Sequence, residues 1–199
     1  MKDIRSYFNP LDRDASPQLA SAYRSAEDFY GYLPNYFLSM SRLPLAVEAY
    51  TTFLTELYDE VTLPTGLAHL ISMQASIVAG CNYSIAHAAK KAYDCGVTGE
   101  KIEALWQFET SQLYNARERA ALAFATKSAH APSTLDKPDF EQILTQFSEL
   151  EICEIIVIVA QTGFHNRWND ALATPLEAQP LSFARSRLPG NAWDPGKHA

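Results

Sequence analysis

Cys81, Ser84 and His87 form the one Cys, Ser and His set in this chain whose spacing could support thiol chemistry. They sit in the stretch Gly66 to Gly96, GLAHLISMQASIVAGCNYSIAHAAKKAYDCG, which reads as two helices meeting at a Gly80-Cys81 corner. Successive helical residues turn by about 100°, so Cys81 and Ser84 share a face while His87 lies about 120° round from Cys81. At a helix start, unpaired N–H groups and the helix dipole favour a thiolate at Cys81. Ser84 can hydrogen-bond that sulfur, but it has no thiol with which to resolve an oxidised one. Plain packing competes with chemistry here, because cysteine is among the most buried residue types. Cys95 and Cys153 read as helix-end and packing residues, and Cys95 lies roughly 21 Å along a straight helix from Cys81, too far for a disulfide.

The elements that must position this corner are all helical. Ser16-Pro17 signals a helix start, and Leu19, Tyr23, Ala26, Phe29 and Tyr30 follow at helical spacing up to Gly31. A short segment, YFLSMS, precedes an amphipathic helix over 44–60. The hairpin helices are expected over 67–79 and 82–94, with Gly96 as a left-handed terminator. Thr98 caps the next helix, and 113–130 is strongly helical. Another helix starts at Lys137-Pro138, and Ser148 with Glu151 resembles a capping box for a last long helix running to about Leu172. Its β-branched run IIVIVA has no strand to pair with and is assigned to the helix. The expectation is an all-α domain of about eight helices over 16–174, with an N-terminal arm at 1–15 and an aperiodic, Pro-rich C-terminal arm at 175–199.

Composition removes several classes. A net charge of -7 with scattered Lys and Arg argues against a nucleic-acid partner. The N-terminal stretch lacks the apolar core of a signal peptide, and the longest apolar run is far short of the roughly 20 residues of a membrane span. A soluble cytoplasmic protein with no membrane association is expected. Three cysteines make no disulfide framework. The histidines and cysteines have no metal-ligand spacing, and no phosphate loop or nucleophile elbow is present, so no metal and no cofactor are expected.

Four stretches resemble the carboxymuconolactone decarboxylase superfamily, in its alkylhydroperoxidase D (AhpD)-like branch. They are Leu33-Pro34-Asn35, the hairpin sequence, ARERAALAFATKSAHAP, and GFHNRWNDALATPLE with Asn166, Arg167, Asn169 and Asp170. The resemblance implies an AhpD-like helical bundle around a core hairpin and a homo-oligomer: dimer, trimer or hexamer. It also implies a thiol-dependent peroxidase (an antioxidant oxidoreductase) in which one cysteine attacks peroxide and a second resolves the sulfenic acid. Carried over residue by residue, Cys81 matches the family's first cysteine and Ser84 replaces the second. Ala88 stands at the family histidine, with His87 one place early, and His69 stands at the family glutamate.

Three readings follow. In the first, Cys81 works alone, activated by the helix start and by His69 across the hairpin, and an external thiol recycles it. In the second, a cofactor-free enzyme like the lactone decarboxylases uses His69, Tyr83, Ser84 and His87 as polar groups of a small-molecule site. In the third, a non-catalytic descendant keeps fold and assembly as a binding or scaffold protein. Arg167 and Asp170 are spaced to pair on one helix face. Trp193 is expected to be covered by a neighbouring subunit.

Overall fold

The structure, a computed structural model, describes residues 7–199. Among them are ten α-helices, short 3-10 turns and no strand. The first six residues of the expected N-terminal arm lie outside the described residues. The helices are α1 Ala20–Tyr30, α2 Asn35–Met40, α3 Pro44–Glu60, α4 Thr65–Ala79, α5 Asn82–Asp94, α6 Gly99–Glu103, α7 Ala116–Ser128, α8 Lys137–Ile143, α9 Glu149–Leu172 and α10 Ala178–Arg187. No helix is long and apolar enough to cross a membrane.

α4 is the central element. Every residue from Leu67 to Ser76 is buried, so it presents no solvent face and packs against α5, α7 and α9. It separates two cores. One joins α1, α2, α3, α5 and the C-terminal segment, and includes Tyr23, Tyr36, Phe37, Tyr83 and Trp193. The other joins α4 to α7, α8 and α9 through Ile71, Phe124, Ile143, Phe147, Ile155 and Ile158. The IIVIVA run is therefore helical, and its Ile155, Ile158 and Val159 are buried against that core.

The corner between α4 and α5 follows from one glycine. Gly80 sits at φ 70°, and the bonds Gly80 N–H to Ile77 O and Cys81 N–H to Ser76 O close the end of α4. This is a Schellman arrangement, which needs a left-handed residue at that position. Cys81 then stands at the N-cap of α5. Gly96, at φ 88°, terminates α5 in the same way. The capping box at Ser148 and Glu151 forms as the spacing predicts, and Asn115 with Glu118 makes another at the start of α7.

The C-terminal residues depart from the aperiodic arm expected of them. Despite Pro180, residues 178–187 are helical, because the proline falls in the first turn where backbone N–H groups lack intrahelical partners. The segment then returns over the start of α5. Trp193 is 6% exposed and its Nε1 donates to Asn82 O at 3.0 Å. Its own chain covers it, so no neighbouring subunit is needed for that burial. Asp170 pairs with Lys197 at 2.8 Å, while Arg167 donates to Gly163 O at 3.2 Å; the Arg167–Asp170 pair does not form. Cys95 and Cys153 are free and exposed, and neither is a packing residue.

Candidate active site

α4, α5 and α9 each turn one stripe toward a common cavity. From α4 come His69, Ser72 and Ser76; from α5 come Ser84, His87, Ala88 and Lys91; from α9 come Gln161, Thr162, His165 and Asn169. These spacings of three, four and seven residues are those of single helix faces. α1, α2 and α3 add aromatic walls: Phe29, Tyr30, Tyr36 and Tyr58. The cavity leaves about 50 Å³ for the centres of water-sized atoms, room for several waters; an aromatic ring, which fills a cavity of about 150 Å³, enters only as the wall side chains shift outward.

The expected site residues divide in an informative way. Cys81 is wholly buried, and its Sγ lies 3.3 Å from Ser84 Oγ. Ser84 lines the cavity and Cys81 does not, so the thiol stands one hydroxyl behind the wall. Burial pushes the Cys81 thiol up, while hydrogen bonds from the Ser84 side chain and backbone pull the other way. This corrects the expected thiolate: desolvation outweighs the helix start.

His69 makes no hydrogen bond to Cys81, whose sulfur meets Ser84. Its ring stacks on Tyr58 at 5.6 Å and meets Phe29 edge-on at 6.1 Å, and its Nε2 has no hydrogen-bond partner. Burial, with a smaller push from Lys91, lowers its pKa to about 3, so it is a neutral imidazole. His87 likewise makes no hydrogen bond to Cys81; both its ring nitrogens have other partners. It nevertheless lines the cavity beside Ala88, because the cavity is wide enough to take both positions of α5.

His87 is held by a residue that sequence reasoning missed. Glu177, from the C-terminal segment, accepts from His87 Nε2 at 2.7 Å and from Tyr83 OH at 2.7 Å, and also from the Asn35 backbone N–H. Tyr32 OH closes the other side of the ring, 3.1 Å from Nδ1. Burial alone would raise the Glu177 pKa, but His87 and the other donors hold it below the usual carboxylate range. A lone acid after a proline, far from the hairpin in sequence, carries no local signal of this contact. The Leu33-Pro34-Asn35 stretch does its part here: Asn35 Nδ2 also bonds Pro175 O at 2.9 Å, fixing the segment that carries Glu177.

On α9, Gln161 Nε2 donates to His165 Nδ1 at 3.0 Å, which leaves the proton on Nε2 to donate to Tyr50 OH at 2.7 Å. His165 is likewise kept neutral by burial, its pKa lowered to about 3. The cavity thus has apolar rings, the neutral imidazoles of His69 and His165, and Lys91 at its edge, whose Nζ lies 4.1 Å from the Phe29 ring centre. No group of three or more His, Cys, Asp or Glu side chains among the described residues could hold a metal ion.

Comparison with known proteins settles the ancestry. A family model, "Carboxymuconolactone decarboxylase family", matches residues 44–127. The debrominase Bmp8, a crystal structure of the unliganded protein, is 37% identical, with a TM-score of 0.82 over 89% of this chain and 95% of that one. The chain belongs to the carboxymuconolactone decarboxylase family. A cysteine-to-alanine variant of Bmp8 in complex with 2,3,4-tribromopyrrole gives 36% identity and a TM-score of 0.83 over the same shares. An uncharacterised peroxidase-related protein from Ralstonia eutropha, described as an alkylhydroperoxidase AhpD core, matches at 21% identity and a TM-score of 0.80 over 92% of this chain and 97% of that one. That last likeness speaks for the fold alone. No curated protein matches.

Proposed function

We propose that this member of the family is a thiol-dependent reductase of small halogenated aromatic molecules, with Cys81 as the redox thiol. One observation carries the reading: Ser84 Oγ both lines an aromatic-walled cavity and sits 3.3 Å from Cys81 Sγ. The likeness to a debrominase supports a carbon-bound halogen as the group removed. The substrate ring lies in the cavity, rotation of the Ser84 side chain admits the halogen to Sγ, and Sγ bonds to it as the carbon–halogen bond breaks. The electron pair of that bond stays with the ring carbon, which takes a proton from Ser84 Oγ while Ser84 receives the thiol's proton. The products are the dehalogenated ring and a sulfenyl halide at Cys81. An external low-molecular-weight thiol displaces halide to give a mixed disulfide and acid. A second equivalent then restores the Cys81 thiol and leaves as the external disulfide. A protonated resting thiol suits this step, because it brings the proton that the ring needs.

Peroxide reduction by the same thiol is the reading the sequence resemblance implies. It calls for a thiolate ready for a polar substrate, whereas burial raises this thiol and aromatic rings wall one side of the cavity. The two are separated by incubating the protein with dithiothreitol and either a bromophenol or hydrogen peroxide. Bromide release that is abolished in Cys81→Ser supports the proposal. Peroxide consumption without bromide release overturns it in favour of the peroxidase, and neither activity points to a binding protein. The recycling step needs free thiols, so we place the protein in a reducing compartment, the cytoplasm. We further propose a homo-oligomer, since α9 leaves Leu150, Ile156 and Phe164 exposed along its length; a monomeric mass by light scattering contradicts this.

A further inference from the structure

His69 Nε2 and both amide atoms of Asn169 are buried, line the cavity, and have no hydrogen-bond partner in the protein. Ser72 Oγ, also buried and on the cavity wall, is a third unpaired group; leaving a buried polar atom unpaired costs about 1–3 kcal/mol, so three such side chains facing one cavity call for a ligand that satisfies them. Their chemistry is narrow. The Asn169 amide supplies an NH2 with two donors and a carbonyl acceptor, and a neutral imidazole nitrogen supplies either, according to tautomer. Around them stand the Phe29, Tyr30 and Tyr58 rings. The Glu177 carboxylate beneath Tyr83 and His87 is already filled by its own donors. An anionic ligand would add a buried charge beside the His69 and His165 imidazoles, which burial keeps uncharged, while His87 is already paired with Glu177 and Lys91 stands only at the cavity edge.

We infer that the cavity selects a neutral, single-ring aromatic bearing its own N–H or O–H, with His69 and Asn169 as the residues that read that group. The inference rests on the proposed reaction for its purpose, though not for its test. His69 stands where the family resemblance puts a glutamate. In this chain the change therefore replaces a charged relay group with a neutral reader of the substrate's polar edge. A site built around such unpaired groups discriminates strongly against an isostere lacking the matching hydrogen.

The test measures binding of unhalogenated rings to the wild-type protein by titration calorimetry, so that no turnover intervenes. Pyrrole and phenol are each compared with the same ring capped by methyl, N-methylpyrrole and anisole, and benzoate serves as the anion. Capping is expected to weaken binding by at least about tenfold, the ratio that one hydrogen bond of about 1.4 kcal/mol gives. His69→Phe and Asn169→Leu, checked for native circular dichroism, are each expected to reduce that ratio. His69→Phe keeps a ring against Tyr58 and Phe29, so lost discrimination with retained binding separates reading from mere shape. Equal affinity for capped and uncapped rings overturns the inference, as does tighter binding of benzoate than of phenol. Its failure is distinguishable from that of the reaction: a held tenfold ratio with no bromide release sinks the reaction alone. Bromide release from an N-methylated bromopyrrole as fast as from its uncapped form sinks the inference alone.

Discussion

Removing the carboxylate of Glu177 is the most informative perturbation of the site's frame. Its two oxygens receive Tyr83 OH and His87 Nε2, each at 2.7 Å, and the Asn35 N–H, joining α5, α2 and the C-terminal segment at one buried point. Glu177→Gln keeps the shape but leaves one oxygen and puts an amide donor where an acceptor is needed. Breaking one side of a buried, hydrogen-bonded pair costs about 3–5 kcal/mol. For a chain of this size each kcal/mol lowers Tm by roughly 2–4 °C, so a drop on the order of 6–20 °C is expected. The effect depends on pH in a defined sense. The folded pKa of Glu177 lies below its ordinary value, so its contribution is present above the unfolded pKa and is lost as pH falls through the folded value. Thermal unfolding followed by circular dichroism should therefore separate wild type and Glu177→Gln widely at pH 7, and the gap should narrow on acidification. A loss below about 1 kcal/mol at pH 7, or a gap that does not change with pH, refutes the reasoning that this carboxylate is buried, ionised and fully used.

Three further predictions follow from individual residues. In a protein with Cys95 and Cys153 replaced by serine, a thiol reagent should label Cys81 slowly at pH 7 and faster only above about pH 9, because burial raises the thiol from an ordinary value of 9.0; rapid labelling at neutral pH contradicts this. His69 and His165, with pKa values lowered to about 3, bind protons in the unfolded chain before they do in the folded one. Each should therefore steepen the loss of stability between about pH 6.5 and pH 3 by up to about 1.4 kcal/mol per pH unit, and urea titrations of His69→Phe should show the slope reduced. Gly80→Ala meets no atom within 4 Å of the added carbon, yet it holds φ 70°; a cost of about 1–2 kcal/mol in chemical denaturation is expected from backbone strain alone, and an unchanged midpoint contradicts the left-handed corner.

What could be read from the chain and what could not divide along local and distant interactions. α5 is found at the residues the glycines and the Cys81 N-cap position imply, and α3 begins at Pro44 as that proline indicates, because helix ends are written in neighbouring residues. The capping box at Ser148 and Glu151 is legible for the same reason. The grouping of Ser84, His87 and His69 in one cavity was half legible: each lies on a predictable helix face, but the faces meet only once α4 and α9 are packed. Glu177 was not legible at all, and for Trp193 the burial was legible but not that its own chain supplies it. They reach α5 from 90 and 111 residues away, in a segment whose prolines hide its helix. The raised thiol of Cys81 was missed because a helix start argues for a thiolate, while the depth of burial that reverses it is a property of the assembled core.

The central claim is that Cys81 takes the halogen from a ring held in the cavity, and a single turnover tests it directly. Protein carrying Cys81 as its only cysteine is mixed with one equivalent of a brominated pyrrole and one equivalent of a low-molecular-weight thiol, and bromide and intact protein mass are read together. The account predicts one bromide per chain, with the mass of the external thiol added as a mixed disulfide at Cys81. Bromide release with no adduct, or release undiminished in Cys81→Ser, contradicts it.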